Sequence, residues 1–307
     1  MDNILDIITL IITTAIRMSI PVVLASVGSS FSFRGGVISF GCEGMMIVGS
    51  LTGVMGTLLT GNKWMGILFA VIGGGIISLL HAYLHVTHKV NATLSGMCVN
   101  LLGLGVTELL VQVIWNSKNY SPQIESFNTV SPDWLKNIPI LGPILSQQYI
   151  FFYITFVIIV ISWIFMNKTP YGLRLRMVGE NPVAANTVGI NTIRYKYFGV
   201  FVCGLLSGLG GAYLSMATLS RFQNGMTAGR GYIAMVTCAL GNCNPLGSAL
   251  GGLFFGFFDS FQLVFQGMKF PSQILMTMPY VFTLFASIIK LGSGSNAPAG
   301  IGKFADE

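Results

Sequence analysis

Three acidic side chains inside long apolar stretches are the first residues of this sequence with the chemistry for a functional role. Glu43, Glu108 and Asp259 lie in such stretches, where a charge is costly unless it is paired or hydrated. For Glu43, flanked by glycines, lining of a pathway and a structural hydrogen-bond role both stay open. Asp259, among phenylalanines, favours a structural ion pair with Arg17 or Arg230.

The histidines have the spacing of a metal site. His81, His85 and His88 follow one another at i, i+4 and i+7, which places them along one side of a helix. They are the only histidines of the chain, and no carboxylate is near them in sequence. We therefore favour a cluster at the membrane interface and predict no metal site and no catalytic residue.

The composition indicates an integral membrane protein. The chain has 307 residues, of which 53% are hydrophobic and 8% are charged, against about 25% charged residues in soluble domains. A chain of this size supplies on the order of eight to ten membrane segments. We predict an all-α, polytopic transmembrane domain over residues 1–292 and a flexible tail over residues 293–307, which are rich in Gly, Ser, Ala and Pro.

Charge predicts the orientation. Residues 167–197, here called the basic loop, contain five basic side chains and the single acid Glu180, which assigns this loop to the cytoplasm. The Pro-rich loop 116–148, one span earlier, is then external, and the side of the N-terminus stays open. Because topology explains the net charge of +6, we predict no nucleic-acid partner.

Two apolar segments carry polar interruptions. FSFRGG at residues 31–36 precedes a run that begins with Ser39, Cys42 and Glu43, and GRGYIAMVTCALGNCNPLG at residues 229–247 has a similar character. Both are predicted to be broken or re-entrant helices. Such pairs are typical of transport pathways between repeats, so a two-fold internal repeat and a chance match both stay open.

The basic loop also has the pattern of a short docking helix. Asn181 suits the cap position and Pro182 the first helical position, and Gly189 suits the end of the helix. Ala184, Ala185 and Val188 would form a small, smooth face for a groove on a partner. A plain connector explains the charges equally well, but not this cap, alanine and glycine pattern.

At the level of whole motifs, GLRLRMVGENPVAANTVGIN resembles the cytoplasmic coupling loop of permease subunits in ATP-binding-cassette (ABC) importers of the ribose, branched-chain amino acid and nucleoside class. FSFRGGVISFGCEGMMIVGS, NATLSGMCVNLLGLGVTELL, MTAGRGYIAMVTCALGNCNPLGSALGG and MPYVFTLFASIIK resemble segments of the nucleoside permeases of that class, in the same order. The resemblance covers nearly the whole chain.

The resemblance implies a multi-pass subunit of a bacterial cytoplasmic (inner) membrane, without enzymatic activity of its own. Its partners would be a second permease, homologous or identical, two ATP-binding subunits, an extracytoplasmic substrate-binding protein and membrane lipid. The sequence has no GxxxxGK[ST] phosphate loop, so ATP and Mg²⁺ would bind to the partner ATPase and no cofactor to this chain. The residues expected to couple to the ATPase are Gly179, Glu180, Asn181, Pro182, Ala184, Ala185 and Gly189.

The expected substrate is nucleoside-like, with purine nucleosides favoured. Aromatic side chains can stack on a base and amides can hydrogen-bond it. The candidate pathway residues are Phe31, Phe40, Glu43, Asn91, Ser95, Asn100, Arg230 and Asn242. The alternatives are an ABC permease for riboflavin, ribose or another sugar, a proton-coupled carrier that uses Glu43 or Asp259, and a membrane enzyme that uses the histidines.

Overall fold

The predicted all-α class is confirmed. The computed structural model describes residues 2–129, 148–265, 277, 281, 288 and 298–304. Within these residues there is no strand, only two isolated β-bridges.

The described helices, numbered in chain order, account for most of the chain. They are α1 (Asp2–Arg34), α2 (Cys42–Thr60), α3 (Lys63–Ala82), α4 (Ala92–Trp115), α5 (Ile150–Lys168), α6 (Pro170–Glu180), α7 (Pro182–Thr187), α8 (Thr192–Ala212), α9 (Arg230–Leu240) and α10 (Pro245–Phe265). Among these described residues, six helices, α1 to α5 and α8, are long and apolar enough to cross a membrane. The sequence also predicts a last membrane span over residues 274–289, which lies almost entirely outside the described residues.

Helices α1, α2, α3, α8 and α10 form the packed body. Helix α1 runs antiparallel to α10, with Ser26 bonded to the carbonyl of Ser248 at one end and Ser260 bonded to that of Ile11 at the other. Helices α2, α3 and α8 approach one another through small residues, and a methyl group on Gly49 would overlap the backbone of Gly208. Such contacts are the usual means of close helix packing in membranes.

Contacts at the ends of α1 and α3 place the basic loop and residues 116–129 at opposite ends of the helix bundle. Arg34, the last residue of α1, lies 3.7 Å from Glu180 of the basic loop, whereas Lys63, at the start of α3, lies 3.1 Å from Glu125 of the predicted external loop. Helix α1 ends beside the basic loop and is long enough to cross a membrane, so its start lies at the opposite end of the bundle.

Residues 116–129 of the predicted external loop lie over the end of the helix bundle. Ser121 and Ile124 donate backbone hydrogen bonds to the carbonyls of Phe222 and Ser220, and Ile124 is buried. Residues 130–147 of this predicted loop are outside the described part of the chain.

The two predicted interruptions differ. Helix α9 has only 11 residues and follows an irregular segment, 219–229, so the broken helix predicted there is confirmed. Helix α2, in contrast, is continuous from Cys42 onward. The irregular backbone, residues 35–41, precedes α2, because Gly36 adopts a left-handed conformation (φ 82°) that ends α1. The two-fold repeat stays a prediction.

The prediction of a tail that does not pack is wrong for residues 298–304. Gly300 donates a backbone hydrogen bond to Gly179, and Gly302 donates one to Gly36. Composition does not predict these contacts because they join backbone N–H donors to backbone carbonyls, and every residue provides a carbonyl and every residue except proline an N–H.

Candidate functional site

Three capped helix starts shape the basic loop. The Thr169 hydroxyl accepts a hydrogen bond from Gly172 N–H at the start of α6. The Asn181 side chain accepts one from Ala184 N–H in α7. The Asn191 side chain accepts one from Arg194 N–H in α8. Pro182 takes the first position of α7 as predicted. Because side-chain caps satisfy backbone donors that a helix leaves unpaired, the six-residue α7 keeps its shape at the surface.

The exposed face of α7 is not the predicted one. Ala184 is exposed and Val188 is 65% exposed, whereas Ala185 is fully buried and Pro182 is buried as well. The alanine pair is therefore divided, with Ala185 facing the membrane body and Ala184 facing outward with Val188. Gly189 follows with a φ of 80° and ends the turn as predicted.

The loop meets the membrane body at the end of α1. Gly179 passes so close to Arg34 that a side chain at position 179 would overlap the Arg34 carbonyl, which explains a glycine at this point. The Glu180 carboxylate lies 3.7 Å from the Arg34 guanidinium. Glu180 is half exposed, so this ion pair contributes at most about 1 kcal/mol.

Arg34 makes its stronger contacts with the turn that follows α9. Its Nη2 donates to the Asn242 carbonyl at 2.8 Å, and its Nε donates to the Cys243 carbonyl at 3.0 Å. Carbonyls at a helix C-terminus lack intrahelical partners and attract cations. Arg34 is not among the residues predicted from the sequence. Its position in FSFRGG, beside an irregular segment, could have marked it as a candidate.

Glu43 holds the other end of α9. Its two carboxylate oxygens accept from Gly229 N–H at 2.8 Å and Gly231 N–H at 2.7 Å, and its side chain is buried. These bonds satisfy free donors at a helix N-terminus, where a negative charge is favourable. The structure thus gives Glu43 a hydrogen-bond role, and its place on a substrate pathway stays a prediction.

Asn100 completes this contact region, here called the interior joint and defined by Glu43, Asn100 and residues 229–232. Its Oδ1 accepts from Gly44 N–H at 2.7 Å, and its Nδ2 donates to the Phe40 carbonyl at 2.8 Å and to the Tyr232 hydroxyl at 2.9 Å. Asn100 is buried, whereas Tyr232 is 43% exposed. Tyr232 is an aromatic candidate for substrate contact that was not predicted from the sequence.

Arg230, the first residue of α9, pairs with Asp259 of α10 at 3.4 Å, one of the two pairings predicted for Asp259. Arg230 also borders a cavity of about 270 Å³. Across this cavity lies Arg17, whose guanidinium is 5.2 Å from the centre of the Tyr149 ring.

Other predicted pathway residues lie away from the interior joint. Phe31 is buried, and the centre of its ring lies 5.8 Å from that of the Phe165 ring. Asn91 caps α4 by accepting from Thr93 N–H. Asn242 offers its carbonyl to Arg34. These contacts are structural, so the structure gathers Phe40, Glu43, Asn100 and Arg230 of the predicted set and leaves Phe31, Asn91, Ser95 and Asn242 apart.

Ser95 contacts His81 instead. Its hydroxyl lies 2.9 Å from His81 Nδ1, and His81 Nε2 lies 3.3 Å from the Ile38 carbonyl. His85 Nδ1 lies 2.7 Å from the Val90 carbonyl. The helix changes to a π-helical turn at Tyr83–Thr87, so His88 does not continue the row. Hydrogen bonds thus account for both ring nitrogens of His81 and for Nδ1 of His85.

Comparison with known proteins finds matches that cover most of the chain. The family model described as the permease component of the branched-chain amino acid transport system matches residues 11–289. The chain is 33% identical over 295 residues to the guanosine ABC transporter permease protein NupQ of Bacillus subtilis, with 92% of each chain covered. It is 35% identical over 303 residues to the nucleoside ABC transporter permease protein NupC of Lactococcus lactis subsp. cremoris, with 94% of this chain and 95% of NupC covered.

A solved structure shares the fold. PsaBC from Streptococcus pneumoniae, in complex with Fab, gives a TM-score of 0.51 at 15% identity and covers 92% of this chain and 94% of its own. At this identity the likeness concerns the fold alone.

Replacing Glu43 tests the interior joint. Glu43→Ala leaves the N–H groups of Gly229 and Gly231 without their acceptor, so we expect a loss of about 3 kcal/mol in the free energy of unfolding, and Glu43→Gln, which keeps one acceptor oxygen, a loss of about half that. Glu108→Ala, an exposed glutamate of α4, is the control. Denaturation of the detergent-purified protein measures the effect. Equal stability of Glu43→Ala and Glu108→Ala would contradict this role.

Proposed function

The chain belongs to the permease family of branched-chain amino acid transport systems, and we propose that it forms the transmembrane pathway of an ATP-driven importer for a nucleoside-like substrate, with purine nucleosides favoured. The names of NupQ and NupC, each similar over more than nine tenths of this chain, support this substrate class. The proposed role is transport, without catalysis by this chain.

The geometry of α7 carries the coupling part of the proposal. This capped helix exposes Ala184 and Val188 at the surface, while Gly179 and Glu180 lie against the end of α1. A small apolar face on a fixed helix suits insertion into a groove of another protein. In the proposed complex that groove belongs to an ATPase subunit, which also binds ATP and Mg²⁺.

The interior joint is the proposed place where coupling reaches the substrate. Helix α9 is held by Arg34 at its C-terminal end and by Glu43 at its N-terminal end. Movement of the basic loop would therefore shift α9 as a unit. The half-exposed Tyr232 on α9, bonded to Asn100, offers a ring on which a nucleobase can stack.

The proposed assembly contains a second permease, identical or homologous, two ATP-binding subunits and an extracytoplasmic substrate-binding protein, in a bacterial cytoplasmic membrane. The ABC transporter names of NupQ and NupC support an assembly of this kind. An importer needs this chain to accept substrate on the side opposite the basic loop, which is the side on which residues 116–129 cover the bundle.

The contacts of the acidic residues disfavour a proton-coupled carrier. Glu43 accepts two backbone hydrogen bonds, and Asp259 pairs with Arg230. Protonation of either carboxylate would weaken contacts that hold α9, so proton cycling at these positions would work against the fold.

Substitutions on α7 test the docking face. Ala184→Arg and Val188→Arg place a long charged side chain on the exposed face, so we expect at least about a tenfold loss of co-purified ATP-binding subunits, with thermal stability unchanged. Ala184→Ser keeps the residue small and is the matched control. Ala185→Arg, at a buried position, should instead unfold the loop. Full complex formation by both exposed-face variants would rule out this docking face.

Uptake by the reconstituted complex tests the substrate and the energy source. Vesicles that contain this chain with its partner subunits and binding protein should accumulate labelled guanosine only when ATP is supplied on the side of the ATPase. Excess inosine should compete with guanosine, whereas riboflavin and ribose should not. Guanosine uptake driven by a proton gradient, without the ATPase, would support the carrier alternative and exclude the importer.

A further inference from the structure

Residues 298–304 contact the basic loop and the membrane helices at the same time. Gly300 N–H donates to the Gly179 carbonyl at 2.9 Å, and Gly302 N–H donates to the Gly36 carbonyl at 3.0 Å. Ala299 N–H donates to Glu180 Oε2 at 3.2 Å. Glu180 thus binds the C-terminal segment through one carboxylate oxygen and Arg34 through the other.

The same segment covers a buried lysine at the start of α8. Lys196 is 2% exposed, and its ammonium contacts the Lys303 carbonyl and lies 4.6 Å from the centre of the Phe304 ring. The Phe304 ring also lies 5.5 Å from that of His85, near the end of α3. A buried ammonium group needs such partners, and an aromatic face attracts it.

The segment also shares a cleft with α7. This cleft has a volume of about 510 Å³, and its walls include Pro182 and Val183 on the loop side and Ala299 and Phe304 on the C-terminal side. A protein docked on α7 therefore meets the C-terminal segment as well.

We propose that residues 298–304 form a C-terminal clasp that fixes the end of α6, which leads directly into α7, to the end of α1 and to the start of α8. The clasp positions the coupling surface and makes the loop move together with the membrane helices. This proposal extends the proposed function, and the transport test of the clasp depends on that function.

Hydrogen exchange tests the clasp on the permease alone, independently of the ATPase. Deletion of residues 298–307 removes the backbone hydrogen bonds to Gly179 and Gly36, so amides of residues 179–190 should exchange about tenfold faster or more, while those of α3 and α4 keep their protection. Phe304→Ala should give a smaller increase, and Phe304→Tyr should restore slow exchange. If the deletion variant does not fold, Phe304→Ala and Phe304→Tyr decide the result. Lys303→Ala is the control, because the contact of Lys196 with residue 303 is to its backbone carbonyl, which alanine keeps.

In the full complex, Phe304→Ala should lower the number of substrate molecules imported per ATP hydrolysed, and Phe304→Tyr should restore it. Unchanged exchange in residues 179–190 for both the deletion and Phe304→Ala would overturn the clasp. A wild-type complex that imports no nucleoside but shows faster exchange after clasp deletion would refute the proposed substrate and leave the clasp intact.

Discussion

The arrangement depends on one guanidinium group, that of Arg34. Arg34 ends α1 and donates to two carbonyls at the C-terminal end of α9, and it also lies beside Glu180 of the basic loop. A charge-assisted hydrogen bond contributes about 1.5–3 kcal/mol, more than a half-exposed ion pair. Arg34 is therefore anchored firmly to the end of α9, and its ion pair with Glu180 adds a weaker contact between this anchor and the basic loop.

The second half of the mechanism lies at the other end of α9. Glu43 and Asn100 connect this end to α2 and α4. In the proposed mechanism, α9 is held at both ends and moves as a rigid unit, so a displacement that begins at α7 would reach the interior joint through few intermediates. Coupling through packed elements of this kind needs no flexible linker between the ATPase and the pathway.

The sequence predicted what local rules determine. Apolar runs marked the helices, and Asn181 with Pro182 marked the start of α7. It could not predict which side of α7 faces outward, because the packing of Ala185 depends on distant parts of the chain. The partners of Glu43 are also remote, at Gly229 and Gly231. The clasp was not predicted because it depends on backbone hydrogen bonds and on contacts between residues distant in sequence, such as Phe304 with Lys196, which composition does not reveal.

The central claim is that Arg34 links ATP hydrolysis to movement of α9. The most direct measurement is the number of nucleoside molecules imported per ATP hydrolysed by the reconstituted complex that contains Arg34→Gln. We expect that the complex assembles and hydrolyses ATP while this ratio falls several-fold, since loss of the charge removes the bonds to both carbonyls. Arg194→Gln, an exposed arginine of the same loop, should keep the wild-type ratio. An unchanged ratio for Arg34→Gln would contradict the account.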